Sequence, residues 1–367
     1  KTILVIPHVV DEIKERIYAA TEDNDFLIIE LGGTVGDIEG LPFMEAIRSI
    51  RHELPKTNTM NIHLSLVPYI KAAGELKTKP TQHSVQELRR IGITPHMLVC
   101  RTERELPKAL KDKLALACDI DRNAVIEAGD AQSIYQVPLQ FIKEGILTPL
   151  SEHFNIKIKP NMEKWDTLVK NILLPQGEVT IAFVGKYLDL KESYKSLIEA
   201  LIHAGAHLST KVNIHWCDSE RIEDVGAYDI IGNSDAILVA GGFGQRGVNG
   251  KLAAIKYARE NKIPYLGICL GMQLAIIEFA KNVLGLEDAN SIEFDPNTKN
   301  PLIYLIDEFI DQSGNKQIRT HESPMGGTMR LGEYPFEPLK GTHLQKAYGN
   351  NEIYYERHRH RYEANPK

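Results

Sequence analysis

Pro264-Tyr265-Leu266-Gly267-Ile268-Cys269-Leu270-Gly271-Met272-Gln273 sets a short apolar run, two glycines around a cysteine and the start of a helical pattern side by side. The run from 264 to 266 predicts a strand and the pattern from 272 to 280 a helix, so Cys269 falls at the turn between them. Gly-x-Cys-x-Gly has the logic of a nucleophile elbow, in which small neighbours permit a sharp turn that lifts the reactive atom out of a sheet. The positive end of the following helix favours a thiolate. The Leu270 amide is placed to supply half of an oxyanion hole. A cysteine met alone is more often a packing residue under a helix; the flanking glycines reverse that preference here.

Working outward, the same alternation repeats. Strands are predicted at 180–184, 212–216, 236–239 and 264–266, and helices at 194–204, 251–261 and 272–280. The first half behaves alike, with strand-like runs at 3–6, 26–29, 62–67, 97–100 and 125–126 and helices at 42–50 and 84–90. Residues 151–178 lack a clean period and predict a connector with a helix at 165–172. Strand-helix alternation implies α/β architecture, here two doubly wound parallel-sheet domains.

Composition bounds the partners. A chain of 367 residues favours two domains, and 43% hydrophobic with 25% charged residues is that of a globular protein. The net charge of -6 argues against bulk attraction to nucleic acid or anionic membrane. No apolar run approaches the roughly 18 residues of a membrane span. The four cysteines at 100, 118, 217 and 269 lack metal-ligand spacing and a disulfide pattern, which suits a reducing cytoplasm.

Other residues suit the chemistry of Cys269. Ala240-Gly241-Gly242-Phe243-Gly244 follows a predicted strand, and glycine lets a backbone amide approach a ligand closely. Glu293 can accept from an α-ammonium. Arg361, within Glu356-Arg357-His358-Arg359-His360-Arg361-Tyr362, can pair with a carboxylate.

The Cys269 run resembles the nucleophile motif of the class I (triad type) glutamine amidotransferases. The resemblance implies a flavodoxin-like domain with Cys269 as nucleophile and the Gly242 and Leu270 amides as oxyanion donors. It further implies Gly242, Leu270, Gly271, Met272, Gln273, Glu293 and Arg361 as contacts for L-glutamine. That family takes its base from a His-Pro-Glu motif. The sequence holds neither His-Pro-Glu nor any His-x-Glu, and His358 and His360 are not assigned to the role. With Lys1 at one end and Pro366-Lys367 at the other, this predicts a fragment cut at both ends.

Two motifs in the first half stand out: Glu30-Leu31-Gly32-Gly33-Thr34-Val35-Gly36-Asp37-Ile38-Glu39 and Gly74-Glu75-Leu76-Lys77-Thr78-Lys79-Pro80-Thr81-Gln82-His83-Ser84. Glu30, at the end of a predicted buried strand, can reach a Mg2+ held by nucleotide phosphates. Asp37 and Glu39 can accept from a base amine or ribose hydroxyls. Lys77 and Lys79 alternate on a predicted extended segment before Pro80, so both face one triphosphate. Gln82 offers a donor and an acceptor to a pyrimidine. Taken singly, a Lys-x-Lys is usually solvated surface and a strand-end acid is as often solvated as functional.

Together these motifs resemble the synthetase (amidoligase) domain of the CTP synthase family, and the resemblance covers essentially the whole chain. It implies a P-loop-like amidoligase domain at 1–150, a linker at 151–178 and the amidotransferase domain at 179–367. The phosphate loop of the first domain is absent, since no Gly-x-x-x-x-Gly-Lys occurs. By the same resemblance Glu30 is a metal ligand. Asp37, Ile38, Glu39, Lys77, Thr78, Lys79, Pro80, Thr81, Gln82 and Lys113 belong to a UTP/CTP site, and Gly129, Asp130 and Ala131 contact ATP. The implied chemistry is ATP-dependent amination of UTP with ammonia from glutamine. Mg2+ is the implied cofactor, GTP an allosteric activator, CTP a product inhibitor and a homotetramer the implied assembly. Two other readings compete: another amidotransferase-linked synthase such as a GMP synthetase, which leaves the two N-terminal motifs unexplained, and a non-catalytic regulator, supported only by the missing His-Pro-Glu.

Overall fold

The computed structural model describes residues 2–186, 188–305, 308–310, 316–318, 330–349 and 353–365. The predicted chain ends, Lys1 and Pro366-Lys367, lie outside them. Two compact units divide between Leu174 and Pro175. Both are α/β, as the alternation requires.

The first unit runs α1 (Val10–Ala19), α2 (Leu41–Glu53), β1 (Ile62–Leu66), β2 (Tyr69–Ile70), β3 (Glu75–Leu76), α3 (Lys79–Arg90), β4 (Met97–Thr102), α4 (Lys108–Cys118), β5 (Val125–Gly129), α5 (Val137–Lys143), α6 (Leu147–Phe154) and α7 (Glu163–Leu173). Strands β1, β4 and β5 form a parallel sheet in that order. Residues alternate across β4. Leu98 and Cys100 pack with Val85 and Leu114 of α3 and α4, whereas Met97 and Val99 pack with Ile126, Phe141 and Leu150. Both faces of the central strand are thereby dry, which explains its continuous apolar character.

Two strand expectations fail here. Residues 3–6 lead into a loose helical turn, Val5–Val9, that continues as α1. Residues 26–29 are irregular and exposed, Ile28 at 93%. An apolar run becomes a strand only where a neighbour completes its backbone ladder, and among the described residues none pairs with it. Phe26 instead packs edge-on against Phe154. The stretch expected as a connector carries the end of α6 and all of α7, and Trp165 donates its Nε1 to Tyr135 O at 2.8 Å.

The second unit comprises β6 (Gly177–Gly185), α8 (Lys195–His207), β7 (Thr210–Asp218), α9 (Ser219–Val225), α10 (Ala227–Ile231), β8 (Ala236–Val239), α11 (Val248–Glu260), β9 (Tyr265–Gly267), α12 (Leu270–Asn282), β10 (Ala289–Ser291), β11 (Asn300–Leu305), β12 (Glu308–Ile310), β13 (Lys316–Ile318), β14 (Arg330–Phe336), α13 (His343–Tyr348), β15 (Tyr354–His360) and β16 (Tyr362–Ala364). Its main sheet is parallel in the order β7-β6-β8-β9. Ala182 and Val184 of β6 face α11 and α12, while Phe183 faces Leu197, Ile198 and Leu201 of α8. Helices therefore cover both faces. Strand order reverses between β6 and β8, and ligands of such sheets bind beyond the carboxyl ends of the strands at that reversal. Lys186, Ala240 to Gly244, and Cys269 all follow those carboxyl ends.

Candidate active site

Cys269 is the second of two residues between β9 and α12, with φ 54 and ψ -110. This left-handed conformation is uncommon for a side-chain-bearing residue and marks a strained turn. The glycines beside it are there for space. A Cβ on Gly271 would lie 2.1 Å from Val239 O, and one on Gly267 would lie 2.6 Å from the backbone of Gly271 and Met272. Only hydrogen at these positions lets α12 start directly over the β8–β9 edge. Tyr265 OH donates to Gly271 O at 2.7 Å and fixes the first turn.

The glycine loop lies against Cys269: a Cβ on Gly241 would sit 3.2 Å from the cysteine Cβ and 3.7 Å from its Sγ. The Leu270 and Gly242 amides both act to lower the pKa of the thiol. Gly242 has φ +154, and a Cβ there would lie 3.1 Å from Lys186 Cε. The amides at the start of α12 and in the glycine loop act in the thiolate-favouring sense, against a larger opposing cause. Burial pushes the thiol above the ordinary cysteine value; the two amides and Lys251 pull it down, while the Glu293 charge adds to the rise. Desolvation outweighs the helix terminus because the sulfur is largely shielded from water.

Two buried lysines support the glycine loop. Lys186 Nζ donates to Phe243 O, to Gly244 O at 3.4 Å and to Arg246 O at 3.3 Å. Lys251 Nζ donates to Ala240 O at 2.7 Å and Gly241 O at 3.3 Å. Neither was singled out in the sequence. A signal existed: Val248, Lys251, Ile255 and Ala258 share one buried face of α11, an odd place for a lysine.

Glu293 reaches the same loop, its Oε1 accepting from Gly244 N at 2.9 Å. Gln273 is buried and donates Nε2 to Tyr362 O at 2.9 Å, which brings the strand start beside Arg361 onto α12. Arg361 itself is buried at 6% exposure. Met272 is half-exposed on the adjoining turn. His360 Nε2 lies 2.8 Å from Glu363 Oε1. The charged groups acting on the sulfur are Glu293 and Lys251, not this pair.

In the first unit the expected nucleotide residues divide into two kinds. Asp37, Ile38 and Glu39 are exposed on the loop ahead of α2. Lys77 pairs with Glu75, and Lys113 also acts on the Glu75 carboxylate, holding it below the usual range. Both expected lysines thus act on the carboxylate of Glu75, a residue the sequence did not single out. The alternation expected for Lys77 and Lys79 does not occur. Lys79 and Pro80 open α3, and the extended segment ends at Leu76. Proline in a first turn is compatible with a helix, so Pro80 marked a helix start. Thr78 is buried and its Oγ1 accepts from Gln82 Nε2 at 3.2 Å. Thr81 is fully buried, donating to Leu66 O at 3.0 Å. These side chains hold α3 on the sheet. Asp130 is paired with Arg101 at 2.5 Å, between Gly129 at the end of β5 and Ala131. Glu30 is exposed on the irregular segment.

Comparison with known proteins is consistent with this layout. Residues 1–156 match the family profile for the CTP synthase N-terminus, and residues 189–367 match that for class-I glutamine amidotransferases. The CTP synthase of Wolinella succinogenes is 66% identical across 100% of this chain, which covers 66% of that protein. Those of Sulfurimonas denitrificans and Nautilia profundicola are 64% and 66% identical across the whole chain, with 68% of each covered. The chain thus spans about two thirds of the length of these curated relatives. A solved glutaminase domain of Trypanosoma brucei CTPS with bound acivicin is 40% identical, covering 51% of this chain and 68% of that one, at a TM-score of 0.44. Matched from one end to the other by relatives of one kind, the chain belongs to the CTP synthase family.

Proposed function

We propose that this chain carries glutamine-hydrolysing CTP synthase chemistry: UTP, ATP and L-glutamine give CTP, ADP, phosphate and glutamate. The observation that carries the amidase half is the packing of the Gly241–Gly242 loop against Cys269, where a Cβ on Gly241 would lie 3.7 Å from the sulfur. In that reading the sulfur attacks the side-chain carbonyl carbon of glutamine. The resulting oxyanion sits between the two amides, which lose no reorganisation energy in meeting it. Ammonia leaves, and water hydrolyses the thioester to glutamate. Glu293, already anchored on Gly244, offers its second oxygen to the α-ammonium, and Arg361 takes the α-carboxylate.

For the synthetase half, Lys77 and Lys113 supply positive charge to a nucleotide triphosphate, with Glu75 as the counter-ion they release. Asp37, Ile38 and Glu39 present an exposed loop to the base and ribose. ATP phosphorylates the uracil oxygen and ammonia displaces that phosphate. Among the described residues no three carboxylate, His or Cys side chains cluster as a metal cage. A Mg2+ held by one protein carboxylate, phosphates and water does not need one. Glu30 would be that carboxylate, and the ion would neutralise the phosphates. Family membership is the support for GTP as activator, CTP as inhibitor and a homotetramer. Four unpaired thiols support a reducing cytoplasm, and among the described residues no helix is long and apolar enough to cross a membrane.

The test is CTP formation by the intact protein from UTP, ATP, Mg2+ and either nitrogen donor. Cys269→Ala is expected to abolish synthesis from glutamine and retain synthesis from ammonia. Loss of both, or CTP from neither donor in the unmodified protein, overturns the reading.

A further inference from the structure

Lys251 is completely buried on α11, and among the described residues no carboxylate lies within ion-pair distance of it. A buried ammonium without a carboxylate is costly, and an apolar side chain would fill the same space without that cost. What the ammonium does instead is hold two successive carbonyls at the end of β8, Ala240 O at 2.7 Å and Gly241 O at 3.3 Å. The second of these belongs to the peptide unit whose nitrogen is Gly242. A trans peptide is planar, and its C=O and N–H point in opposite directions. With the carbonyl turned toward Lys251, the N–H is turned the other way; this end of the loop lies against Cys269, a Cβ on Gly241 being 3.7 Å from the sulfur, and the Gly242 amide acts to lower the thiol's pKa. The unit lies between two glycines, so little steric resistance opposes its rotation. A Cβ on Gly242 would also lie 3.7 Å from Lys251 Nζ, which places the ammonium directly behind the loop.

We propose that Lys251 is a positioning residue that latches the Gly241–Gly242 peptide in the orientation aiming the Gly242 amide at the sulfur. Without the latch the peptide can turn over, replacing a donor with a carbonyl oxygen and leaving the oxyanion hole with Leu270 alone. Lys186 donates further along the loop, to Phe243 O, Gly244 O and Arg246 O. The inference rests on the amidase reading of Cys269. Burial lowers the Lys251 ammonium to about 8, with Lys186 contributing, and the thiolate acts in the opposite sense. A thiolate at Cys269 therefore favours the protonated form of Lys251.

The experiment compares two alkylating reagents on Cys269 in the full-length enzyme. A chloroketone analogue of glutamine places its carbonyl oxygen in the oxyanion hole as the sulfur displaces chloride. With iodoacetamide the sulfur displaces iodide at a saturated carbon and no oxyanion is built. Their ratio of rate constants reports the hole separately from the reactivity of the thiol. Lys251→Met is expected to lower that ratio by about 100-fold, the size of losing one oxyanion donor, and Lys251→Gln, which keeps an N–H donor, to recover part of it. A folded Lys251→Met protein with the ratio of the unmodified enzyme overturns the proposal. If that variant does not fold, Lys251→Ala with n-propylamine takes its place. An amine-dependent recovery of the ratio supports the latch, and an unmodified-enzyme ratio without amine overturns it. If the chloroketone labels the protein elsewhere than Cys269, the amidase reading fails. Labelling at Cys269 with no effect of Lys251 removes only the latch.

Discussion

Gln273 and Tyr362 are joined by a side-chain to backbone hydrogen bond of 2.9 Å, which ties the first turn of α12 to the strand that follows Arg361. In the proposed site, where Arg361 takes the glutamine carboxylate, Gln273 would act on glutamine binding through the placement of its neighbour. Gln273→Leu removes the donor at constant bulk. A hydrogen bond of this kind contributes about 1 kcal/mol net, so the expected result is a roughly fivefold to tenfold rise in the KM for glutamine with kcat little changed. A loss confined to kcat would argue that the side chain serves the chemical step instead.

Gly271→Ala tests the fit of α12 on β8. The added carbon would sit 2.1 Å from Val239 O, and neither backbone can yield without moving the elbow. Overpacking of this sort costs about 1–3 kcal/mol, seen as a fall in Tm of about 2–4 °C per kcal/mol for a domain of this size. Gly177→Ala, where a Cβ meets nothing within 4 Å, is the control and should leave Tm almost unchanged.

The raised Cys269 pKa has a kinetic signature. Alkylation by iodoacetamide without ligand should titrate with a midpoint above that of an ordinary cysteine, because burial disfavours the thiolate. Glu293 adds to the rise, so Glu293→Gln should move the midpoint down. A midpoint below the ordinary value in the unmodified protein would mean that the amides and Lys251 outweigh burial.

His96 predicts acid sensitivity in the first unit. Burial, the adjacent His153 and Arg51 lower its pKa to about 4. Its Nδ1 accepts the Asn61 amide at 2.9 Å, which requires that nitrogen to be unprotonated. The folded value lies below the unfolded one near 6.5. The associated stability is therefore full above about pH 6.5 and lost as pH falls through about 4. Urea unfolding between these pH values should show the loss, and His96→Gln, which can accept the same amide without titrating, should flatten it.

How much of this was legible follows from what a linear sequence records. The elbow was legible because Gly267, Cys269 and Gly271 must be neighbours for the turn to form. The glycine loop was legible because close backbone approach restricts residue type. Lys251 was not, since a buried lysine looks like a solvated one until the face of α11 is known. The extended segment expected through Lys79 rests on the bias of a residue before proline toward extended backbone, whereas Pro80 stands in the first turn of α3. Residues 26–29 were read as a strand because an apolar run states a demand for burial and not whether a neighbouring strand meets it.

The sheet order has a consequence for how activity can arise during folding. Lys186, Gly242 and Cys269 follow three separate strands, β6, β8 and β9, and they meet only because those strands pair in register. A segment containing the elbow alone would bring Leu270 to the sulfur but neither Gly242 nor the lysines behind it. Such long-range pairing forms late compared with local turns and helices. On the proposed amidase reading, a newly made chain would therefore carry a cysteine without amidase power until β6, β8 and β9 have paired, so glutamine cleavage would report that pairing.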